Sequence, residues 1–463
     1  MKKIIYIFAL LFPVFLYGQQ NLSGYFPSDD LWKFVGNEGF TPGAARFLSF
    51  AMSLEDEPYV AFQDENNAAK LSVMKFDGNN WVYEGSAGFS NDYAKFISLA
   101  FDQLDTPYVA FQDYGNDFKV TVMKFNGTDW LNVGSQGFSS GYAEDISLAF
   151  SPSGDPYVAF KDAVQSNKAT VMKFDGTTWI NVGVAGFSAG TASYLSLSFS
   201  LPGPGGMPYL AYQDCGNNCR ATVMQFNGTD WINYGSPGFT PNVVINTTLA
   251  FSPTDHLPYV AFVDGQNSGA SLMRHDGTTW TYVGTPGFSG GRATDVCLAF
   301  NAAGNPTVAF SDLDNSSKSS VMIFNGIIWG YLGIRGFSPA GAGSENLRFS
   351  KAGQAYIAYS DSAFTGKVSV MKNDSVFVGI KEPMKSKLSL NPNPVKNNLT
   401  IDFKNVYGIT KYIGIYKLTG VKIFEKQSNE DRIILNVENY PAGIYIVKLK
   451  TESLNYIGKF CKN

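Results

Sequence analysis

Histidine, cysteine and charged residues are scarce in this sequence. Its 463 residues include 2 His and 4 Cys, and 16% of them are charged. Neither His256 nor His275 has a companion at metal-ligand spacing, so both are expected to have structural roles. We therefore predict no metal site and no cofactor. Beyond the first 18 residues the sequence has no run of 18 apolar residues, so no transmembrane segment is expected in the mature chain.

Basic residues are also sparse over most of the chain. Residues 1–380 carry 21 Lys and Arg against 32 Asp and Glu, whereas residues 381–463 carry 14 against 7. An acidic body disfavours nucleic acid as a partner, because phosphates require a basic face. With 44% hydrophobic and 15% aromatic residues the chain has ample material for a folded core. Its 47 Gly and 21 Pro follow no Gly-X-Y period and indicate many turns.

The first residues have the pattern of an export signal. Lys2 and Lys3 precede an apolar run that ends near Tyr17, and Gly18 offers a small residue before a plausible cleavage point. We predict a signal peptide over residues 1–18. Because exported proteins meet oxidising conditions, Cys215 and Cys219, which lie in one short loop, are expected to form a disulfide. A metal site there would need two more such ligands nearby, and none is visible.

A repeat of 49 residues organises the middle of the chain. Successive Trp are 49, 49, 49, 52, 49 and 49 residues apart, and the longer spacing contains a Pro-Gly-Pro-Gly-Gly insertion at 202–206. Each Trp is followed four residues later by Gly and eight residues later by the Phe of a Gly-Phe-Ser or Gly-Phe-Thr triplet. The seven are Trp32, Trp81, Trp130, Trp179, Trp231, Trp280 and Trp329.

Each unit contains four strand-like runs and no helical periodicity. In the second unit these runs are 96–101, 107–112, 119–125 and 130–133, all rich in β-branched and aromatic residues. Asn-Gly or Asp-Gly pairs before the Trp indicate hairpin turns. Four antiparallel strands repeated seven times predict an all-β fold, a seven-bladed β-propeller over residues 21–380, with an open β-solenoid as the alternative.

The ends of the repeat region predict how the ring closes. The seventh unit supplies strands at 346–349, 355–359 and 367–371 but no Trp strand, whereas one Trp strand, 32–35, precedes the first full unit. We predict that this N-terminal strand completes the last blade. Pairing the two ends would remove the open sheet edge.

The C-terminal residues resemble a known sorting domain. After a lysine-rich linker at 381–387, the Trp period stops, and the motifs Leu-Ser-Leu-Asn-Pro-Asn-Pro at 388–394, Ile-Tyr-Lys-Leu-Thr-Gly at 415–420 and Tyr-Pro-Ala-Gly-Ile-Tyr-Ile-Val-Lys-Leu at 440–449 follow. Together they resemble the C-terminal sorting domain of the type IX secretion system of Gram-negative bacteria. The closing residues 458–463 depart from the usual basic-apolar ending by including Cys461.

This resemblance implies a structure and a destination for residues 388–463. The family's domain is a small β-sandwich that directs its cargo across the outer membrane. It is then usually cleaved as the cargo is released or attached to surface lipopolysaccharide. We therefore expect the type IX secretion machinery as a partner, and a location outside the cell or on the outer surface of a Gram-negative bacterium.

One polar pattern repeats with the blades. Each second strand ends in Asp, and six units place a basic residue six positions later, so that the two residues should face each other across a hairpin. One interpretation is turn capping with an exposed ion pair. The other is a ring of hairpins that binds a ligand. The candidate binding residues are Asp64, Asp113, Asp162, Asp214, Asp264, Asp312, Asp361, Lys70, Lys119, Lys168, Arg220, Lys318 and Lys367.

No catalytic constellation stands out. Gly-x-Ser-x-Gly occurs at 137–141, 186–190 and 287–291, but as a repeated connector with no helix after it, which is unlike a nucleophile elbow. In an up-and-down meander the hairpins between second and third strands share a face with the blade connectors, and we expect any ligand on that face. The favoured hypothesis is a non-enzymatic surface protein that binds a glycan or a protein. A polysaccharide-active enzyme and a structural surface-layer component are the alternatives.

Overall fold

The computed structural model describes residues 31–200, 206–374, 389–402, 411–417, 422–430, 432–450 and 455–463. Contacts divide the chain into two compact units, residues 1–377 and 378–463. The predicted signal peptide (1–18) and linker (381–387) lie outside the described residues, and the domain boundaries stay predictions. No helix in the described ranges is long and apolar enough to span a membrane.

Seven four-stranded antiparallel sheets, the blades, make up the first unit. Blade 1 comprises β2 (Ala45–Met52), β3 (Pro58–Asp64), β4 (Lys70–Phe76) and β5 (Trp81–Tyr83). Blade 2 comprises β6 (Ala94–Phe101), β7 (Pro107–Asp113), β8 (Lys119–Phe125) and β9 (Trp130–Asn132). Blade 3 comprises β10 (Ala143–Phe150), β11 (Pro156–Asp162), β12 (Lys168–Phe174) and β13 (Trp179–Asn181).

The next three blades repeat this order. Blade 4 comprises β14 (Ala192–Phe199), β15 (Pro208–Asp214), β16 (Arg220–Phe226) and β17 (Trp231–Asn233). Blade 5 comprises β18 (Val244–Phe251), β19 (Pro258–Asp264), β20 (Ala270–His275) and β21 (Trp280–Tyr282). Blade 6 comprises β22 (Ala293–Phe300), β23 (Pro306–Asp312), β24 (Lys318–Phe324) and β25 (Trp329–Tyr331).

The seventh blade takes its fourth strand from the start of the propeller. It comprises β26 (Ala342–Phe349), β27 (Ala355–Asp361), β28 (Lys367–Asn373) and β1 (Trp32–Phe34). β1 pairs antiparallel with β28, and Trp32 lies opposite Asn373. The predicted closure by the N-terminal strand is therefore confirmed.

Short 3-10 turns join the second and third strands of every blade except the fifth. They are Glu65–Asn67, Tyr114–Asn116, Ala163–Gln165, Cys215–Asn217, Leu313–Asn315 and Ser362–Phe364.

The first strands of the blades surround the centre of the ring. Neighbouring first strands are hydrogen-bonded, as where Leu99 N donates to Ser49 Oγ at 2.9 Å. Across the junction of blades 7 and 1, Asn346 Nδ2 donates to Leu48 O at 3.2 Å, and Ala45 N donates to Gly366 O at 2.9 Å. The ring is thus closed, and the seven-bladed propeller rather than the solenoid is confirmed.

The hydrophobic core lies in the spaces between blades. All seven residues of β3 are buried, because this strand has a neighbouring blade on each side. Between blades 7 and 1, Phe50 and Phe62 pack against Val368 and Val370. A single blade would expose both of its apolar faces, so each unit depends on its neighbours for burial.

Each Trp joins two neighbouring blades. In all seven cases the indole N–H donates to a main-chain carbonyl of the preceding blade's end at 2.7–3.0 Å, as from Trp130 to Glu84 O. The same indole stacks on the Phe of the Gly-Phe-Ser or Gly-Phe-Thr triplet, with ring centroids 3.8–4.7 Å apart. We call this pair of contacts the Trp clamp.

The Gly four residues after each Trp is required by this clamp. Gly134 has φ +74°, and a Cβ there would lie 2.9 Å from Phe174 Cε2 and 3.1 Å from Trp179 Cδ1. A larger residue would meet both rings and would also adopt an unfavourable backbone conformation. The Trp-Gly-Phe spacing is therefore the sequence signature of one inter-blade contact.

The second unit contains two antiparallel sheets around one core. One sheet comprises β29 (Ser389–Asn391), β30 (Asn398–Asp402) and β33 (Arg432–Asn436). The other comprises β31 (Lys411–Lys417), β32 (Lys422–Ser428), β34 (Gly443–Lys450) and β35 (Asn455–Lys462). Leu399 and Ile433 of the first sheet share a buried cluster with Ile415, Val447 and Phe460 of the second. This arrangement is the small β-sandwich implied by the resemblance.

Loss of Trp32 should destabilise the ring. Trp32→Ala removes a side chain that is 4% exposed and stacks on Phe337, and truncation of a buried Trp costs about 3–5 kcal/mol. We expect a clear fall in the Tm of the full chain, measured by circular dichroism. Lys33→Ala is the control, because the side chain of Lys33 is 66% exposed and its ion pair with Asp374 is a surface pair worth about 0–1 kcal/mol. An unchanged Tm for Trp32→Ala would contradict closure through β1.

Candidate functional site

The seven Asp predicted to bind a ligand are buried beneath the hairpin turns, with exposures of 0–4%. In six blades the carboxylate accepts a hydrogen bond from the backbone N–H two residues later, as Asp113 does from Gly115 N at 3.1 Å. Asp113 also accepts from Thr121 Oγ1 at 2.8 Å, and Thr121 Oγ1 accepts from Gly137 N at 2.9 Å. The Asp therefore caps its turn and, through the Thr, holds the Gly-Phe-Ser connector.

The basic residues face these Asp but do not pair with them. Asp113 lies opposite Lys119 in the register of blade 2, and the other five pairs align in the same way. Within the described part of the chain, no ion pair joins any of the seven Asp to the basic residue opposite it. In blade 6, Asp312 instead binds Arg335 Nε at 2.6 Å. Turn capping already occupies the carboxylates, and ligand binding by the thirteen residues stays a prediction.

The remaining residues singled out in the sequence have local roles. Cys215 and Cys219 are joined by a disulfide in the 3-10 turn of blade 4. His275 is 3% exposed, packs edge-on against Trp280 and accepts a hydrogen bond from Gly277 N. Burial lowers the pKa of His275, as expected for a neutral core imidazole. Among the described residues no three His, Cys, Asp or Glu are grouped so as to hold a metal ion.

The blade connectors and the second-to-third-strand hairpins meet on one face, which we call the connector face. Tyr114 N in the turn of blade 2 donates to Tyr93 O in the connector that enters this blade, at 3.1 Å. The next blade is attached to the same turn, since Ala143 N donates to Phe118 O at 3.0 Å. Loops on this face are therefore fixed by main-chain hydrogen bonds while their side chains vary.

Four aromatic side chains form a continuous row on the connector face. We call Tyr93, Tyr114, Phe118 and Tyr142 the aromatic ladder. Successive ring centroids are 5.2, 4.3 and 5.5 Å apart, and the three Tyr are 44%, 41% and 38% exposed. At its end, the Tyr142 hydroxyl donates to Glu144, which also binds Lys161 at 2.9 Å. Exposed, contiguous apolar rings beside charged groups are typical of binding surfaces.

A second set of unusual residues surrounds the ring axis. Each first strand contains a bulge, where a register shift leaves one residue with φ between +49° and +57°. Because the bulge lies opposite the end of the second strand, it is at the connector-face end of the axis. The seven bulge residues are Phe47, Phe96, Asp145, Tyr194, Asn246, Asp295 and Ser344.

The bulge residues differ in chemistry although their backbones agree. The left-handed region suits Asn and Asp but is unfavourable for bulky side chains. Phe47 and Phe96 pack against the hydrophobic clusters between blades, whereas Tyr194 is 38% exposed. These three rings and Asp145 are among the residues that line an open depression of about 220 Å³ at the axis. All seven bulges share this backbone conformation, so the strain belongs to the fold and the side chains distinguish the blades.

Carboxylates collect around the same axis. Asp145 accepts from Tyr194 N at 3.1 Å, and Asn246 Nδ2 donates to Asp295 at 3.4 Å. Burial raises the pKa of Asp145 and of Asp295. The axis is therefore a place where negative charge is poorly solvated.

Glu345 is the most unusual of these acids. It follows Ser344 in the bulge of blade 7, at the position that is Leu48, Ile97, Ile146, Leu195, Thr247 and Val296 in the other blades. Glu345 is 5% exposed, and neither carboxylate oxygen has a hydrogen-bond partner in another described residue. Burial, and next the charge of Asp295, raise its pKa well above the ordinary value. A buried carboxyl group without partners is costly and requires an explanation.

The sequence patterns do not reveal the residues at the ring axis, because the bulge interrupts the alternation of apolar and polar residues in the first strands. They predict a first strand of the seventh unit that starts at residue 346, whereas β26 begins at Ala342 and includes Glu345. Aligning the seven units position by position would have shown the signal. At one position of that alignment, Glu345 replaces the aliphatic residue or Thr of the other six blades. At the position before it, the residue type varies between blades.

Comparison with known proteins identifies the tail. Residues 389–463 match the family model described as the secretion system C-terminal sorting domain. The tail is a type IX sorting domain. The chain is therefore a secreted or outer-surface protein of a Gram-negative bacterium, as the sequence predicted. No curated protein matches the chain.

Several solved structures are distantly similar to the chain. PorZ, a surface component of the type IX secretion system of Porphyromonas gingivalis, is 13% identical with a TM-score of 0.46, over 91% of this chain and 60% of PorZ. The lectin of Aleuria aurantia is 14% identical with a TM-score of 0.42, over 66% of this chain and 100% of the lectin. A fungal alcohol oxidase is 10% identical with a TM-score of 0.46, over 95% and 98% of the two chains. Similarity at this level assigns no activity.

Replacing a capping Asp should cost stability, whereas replacing the residue opposite should not. Asp113→Ala leaves buried donors without an acceptor, at a cost of about 1–3 kcal/mol. Lys119→Ala should change stability by less than about 0.5 kcal/mol, because Lys119 makes no ion pair with Asp113. Urea unfolding of the full chain measures both. Equal losses would show that the two residues act as a charge pair.

Replacing Glu345 should stabilise the protein in a pH-dependent manner. Because the pKa of Glu345 is higher in the folded state than its ordinary value of 4.5, its contribution is fully favourable below pH 4.5 and is lost as the pH rises through the folded value. Glu345→Leu abolishes this titration, so its Tm advantage over the native chain should grow as pH rises above 4.5. Calorimetry at several pH values measures it. A Tm difference that stays constant with pH would show that ionisation of Glu345 does not destabilise the folded protein.

Proposed function

We propose that this exported protein is a non-enzymatic glycan-binding protein whose propeller presents the aromatic ladder at the cell surface. The observation that carries the proposal is the ladder itself: four rings in contact on the connector face, of which three are substantially exposed. The sorting domain supplies the route to the surface, and the propeller supplies the rigid support.

The fold does not require aromatic residues at the ladder positions. Tyr93 and Tyr142 occupy a connector position that is Ala44 in blade 1, and Tyr114 occupies a turn position that is Ala163 in blade 3. The same backbone hydrogen bond joins the two positions in those blades, from Glu65 N to Ala44 O and from Ala163 N to Tyr142 O. The seven units thus act as internal controls, and the aromatic rings are additions to a scaffold that forms without them.

The chemistry of the ladder suits a sugar chain. Aromatic faces carry partial negative charge and attract the C–H groups on one face of a sugar ring. Tyr hydroxyls and the neighbouring Glu144 and Lys161 offer donors and acceptors for sugar hydroxyls. A row of rings about 4–6 Å apart supports several contacts along one chain.

In this proposal the seven repeated Asp support the binding face from below. Their carboxylates hold the turns and connectors, as Asp113 does through Thr121 and Gly137. The half-buried basic residues opposite them lie at the same face and add positive charge to its loops. Variation between blades, rather than the repeated ring, then sets the ligand.

An immobilised polysaccharide array probed with the full chain tests the proposal. The native chain should be retained by a defined glycan, and Tyr93→Ala and Tyr114→Ala should each reduce retention at least about tenfold, because interface aromatics carry most binding energy. Both variants restore residues found in other blades and should fold normally. Leu104→Ala, a change at an 86% exposed residue outside the ladder, is the matched control.

The alternatives give different results in the same assay. Release of shortened products from a polysaccharide would replace the binding hypothesis with the polysaccharide-active enzyme. Retention by an outer-surface protein and by no glycan would redirect the proposal to a protein ligand. Absence of all three would favour a structural surface-layer component.

A further inference from the structure

The open depression at the ring axis, which we call the axial depression, has room for one sugar ring. Its volume is about 220 Å³, and its surface is more polar than apolar. A protein cavity of about 150 Å³ accommodates benzene, so a six-membered ring fits here, and its substituents can extend into solvent because the depression is open. A mixed surface of this kind matches a sugar, which has C–H groups on its ring faces and hydroxyls at its edge.

The aromatic ladder and the axial depression are neighbours on the connector face. Tyr93 and Tyr142 each lie three residues before a bulge residue that lines the depression, namely Phe96 in blade 2 and Asp145 in blade 3. Three residues of extended chain span roughly 10 Å. A chain of a few sugar units can therefore contact the ladder and the depression together.

Polar groups lie between the last ring of the ladder and the axis. The Tyr142 hydroxyl donates to Glu144, and Glu144 pairs with Lys161 Nζ at 2.9 Å. Asp145 follows Glu144 in β10 and accepts a hydrogen bond from Tyr194 N of blade 4 at 3.1 Å. These residues form a continuous path from the ladder in blades 2 and 3 to the exposed ring of Tyr194 in blade 4.

Two side chains of the axial depression have the chemistry to hold a sugar. Phe47 and Phe96 pack on each other, with ring centroids 5.3 Å apart, whereas Tyr194 is 38% exposed and offers its ring to C–H groups. Asp145 is partly exposed. A carboxylate has about four acceptor positions, and Tyr194 N occupies one of those of Asp145. Asp145 can therefore also accept hydrogen bonds from sugar hydroxyls.

The aromatic path reaches the axis from one side. The same backbone hydrogen bond that joins Tyr114 to Tyr93 joins a turn residue to a connector residue in every blade. Outside blades 2 and 3, neither of these two positions is aromatic. The residues there are Ala44, Glu65, Thr191, Cys215, Val243, Gly265, Arg292, Leu313, Gly341 and Ser362. A glycan chain supported by the ladder therefore finds no second row of rings beyond the depression, and the unit that reaches the depression is its end.

The charges around the axial depression disfavour an anionic sugar. Burial raises the pKa of Asp145 and of Asp295, so negative charge is poorly solvated here. Lys161, which acts on Asp145, is already paired with Glu144. A uronic acid or a sulfated sugar would bring further negative charge to the same place, at an additional cost.

We propose that the axial depression holds the terminal unit of an uncharged glycan chain whose preceding units lie on the aromatic ladder, with Tyr194 against the sugar ring and Asp145 accepting from its hydroxyls. This inference rests on the proposed glycan binding and adds to it which part of the chain is recognised and which charge it has. Chain ends are bound in preference to chain interiors, because only an end contacts the ladder and the depression together.

Competition between long and short chains tests end recognition. The full chain is applied to immobilised laminarin, mannan, xylan and dextran, and each polysaccharide that retains it is then used as a soluble competitor. The competitor is either intact or shortened by partial acid hydrolysis, at equal mass. If shortening is about tenfold, the shortened competitor should inhibit retention about tenfold better, because the concentration of ends rises in that proportion.

Two variants alter the depression with residues that the bulge already accepts in other blades. Tyr194→Ser and Asp145→Asn introduce the residue types of Ser344 and Asn246, so both variants should fold normally, which their Tm verifies. Each should bring the advantage of shortened chains from about tenfold close to equality, since a few contacts carry most binding energy. Asn246→Ser, the matched control, introduces Ser at a bulge residue outside the lining and should leave the advantage unchanged.

The outcomes separate this inference from the ladder proposal. Equal inhibition by intact and shortened chains, or an advantage that persists in Tyr194→Ser and Asp145→Asn, would overturn the terminal site and leave the ladder standing. The same advantage for shortened polygalacturonate or alginate would overturn the assignment to uncharged chains. Retention by no polysaccharide would reject the ladder proposal and this inference with it. Tyr114→Ala should weaken binding of intact and shortened chains alike.

Discussion

The Trp clamp is the contact on which this molecule depends. A four-stranded blade has two apolar faces and cannot bury either without a neighbour. Each indole N–H reaches the carbonyl at which the previous blade ends, and the indole face stacks on the Phe of the connector that follows. The clamp therefore sets where one blade stops and the next begins. Its Gly makes room for the ring, which explains why Trp, Gly and Phe recur at fixed spacing.

Much of the architecture could be predicted from the sequence because the clamp leaves a visible period. Seven Trp at nearly constant spacing predict seven blades, and an isolated Trp strand before the first full unit predicts closure by β1. The conformation of the bulge residues around the ring axis could not be predicted in this way. The bulges place Phe47 and Asp145 in left-handed conformations, which no alternation of apolar and polar residues reveals. The interpretation of the Asp and Lys pattern as turn capping with an exposed ion pair is correct for the capping, but among the described residues these ion pairs do not form, because turn N–H groups and Ser or Thr hydroxyls satisfy the Asp.

The repeat separates structural from functional residues within one chain. Positions that are alike in all blades, such as the capping Asp, belong to the folding of every unit. Glu345 replaces an aliphatic residue or Thr of the other six blades, and Tyr114 lies at a turn position that differs in every blade, so the shared fold requires neither residue. Both residues lie at the connector end of the propeller, one on its surface and one at its axis. In this propeller, the residues that differ between blades are therefore the candidates for function.

The pairing of β1 with β28 also sets an order of assembly. Every other strand pair of the propeller joins segments adjacent in sequence, but Lys33 meets Lys372 from the far end of the domain. Contacts between distant segments form late, since the entropy of closing a long loop must be offset before they stabilise anything. Until those segments meet, β28 is an unpaired edge strand, and the apolar faces that blades 1 and 7 bury against each other are exposed to solvent. The pairing of β1 with β28, which closes the ring, is thus the last strand pairing to form.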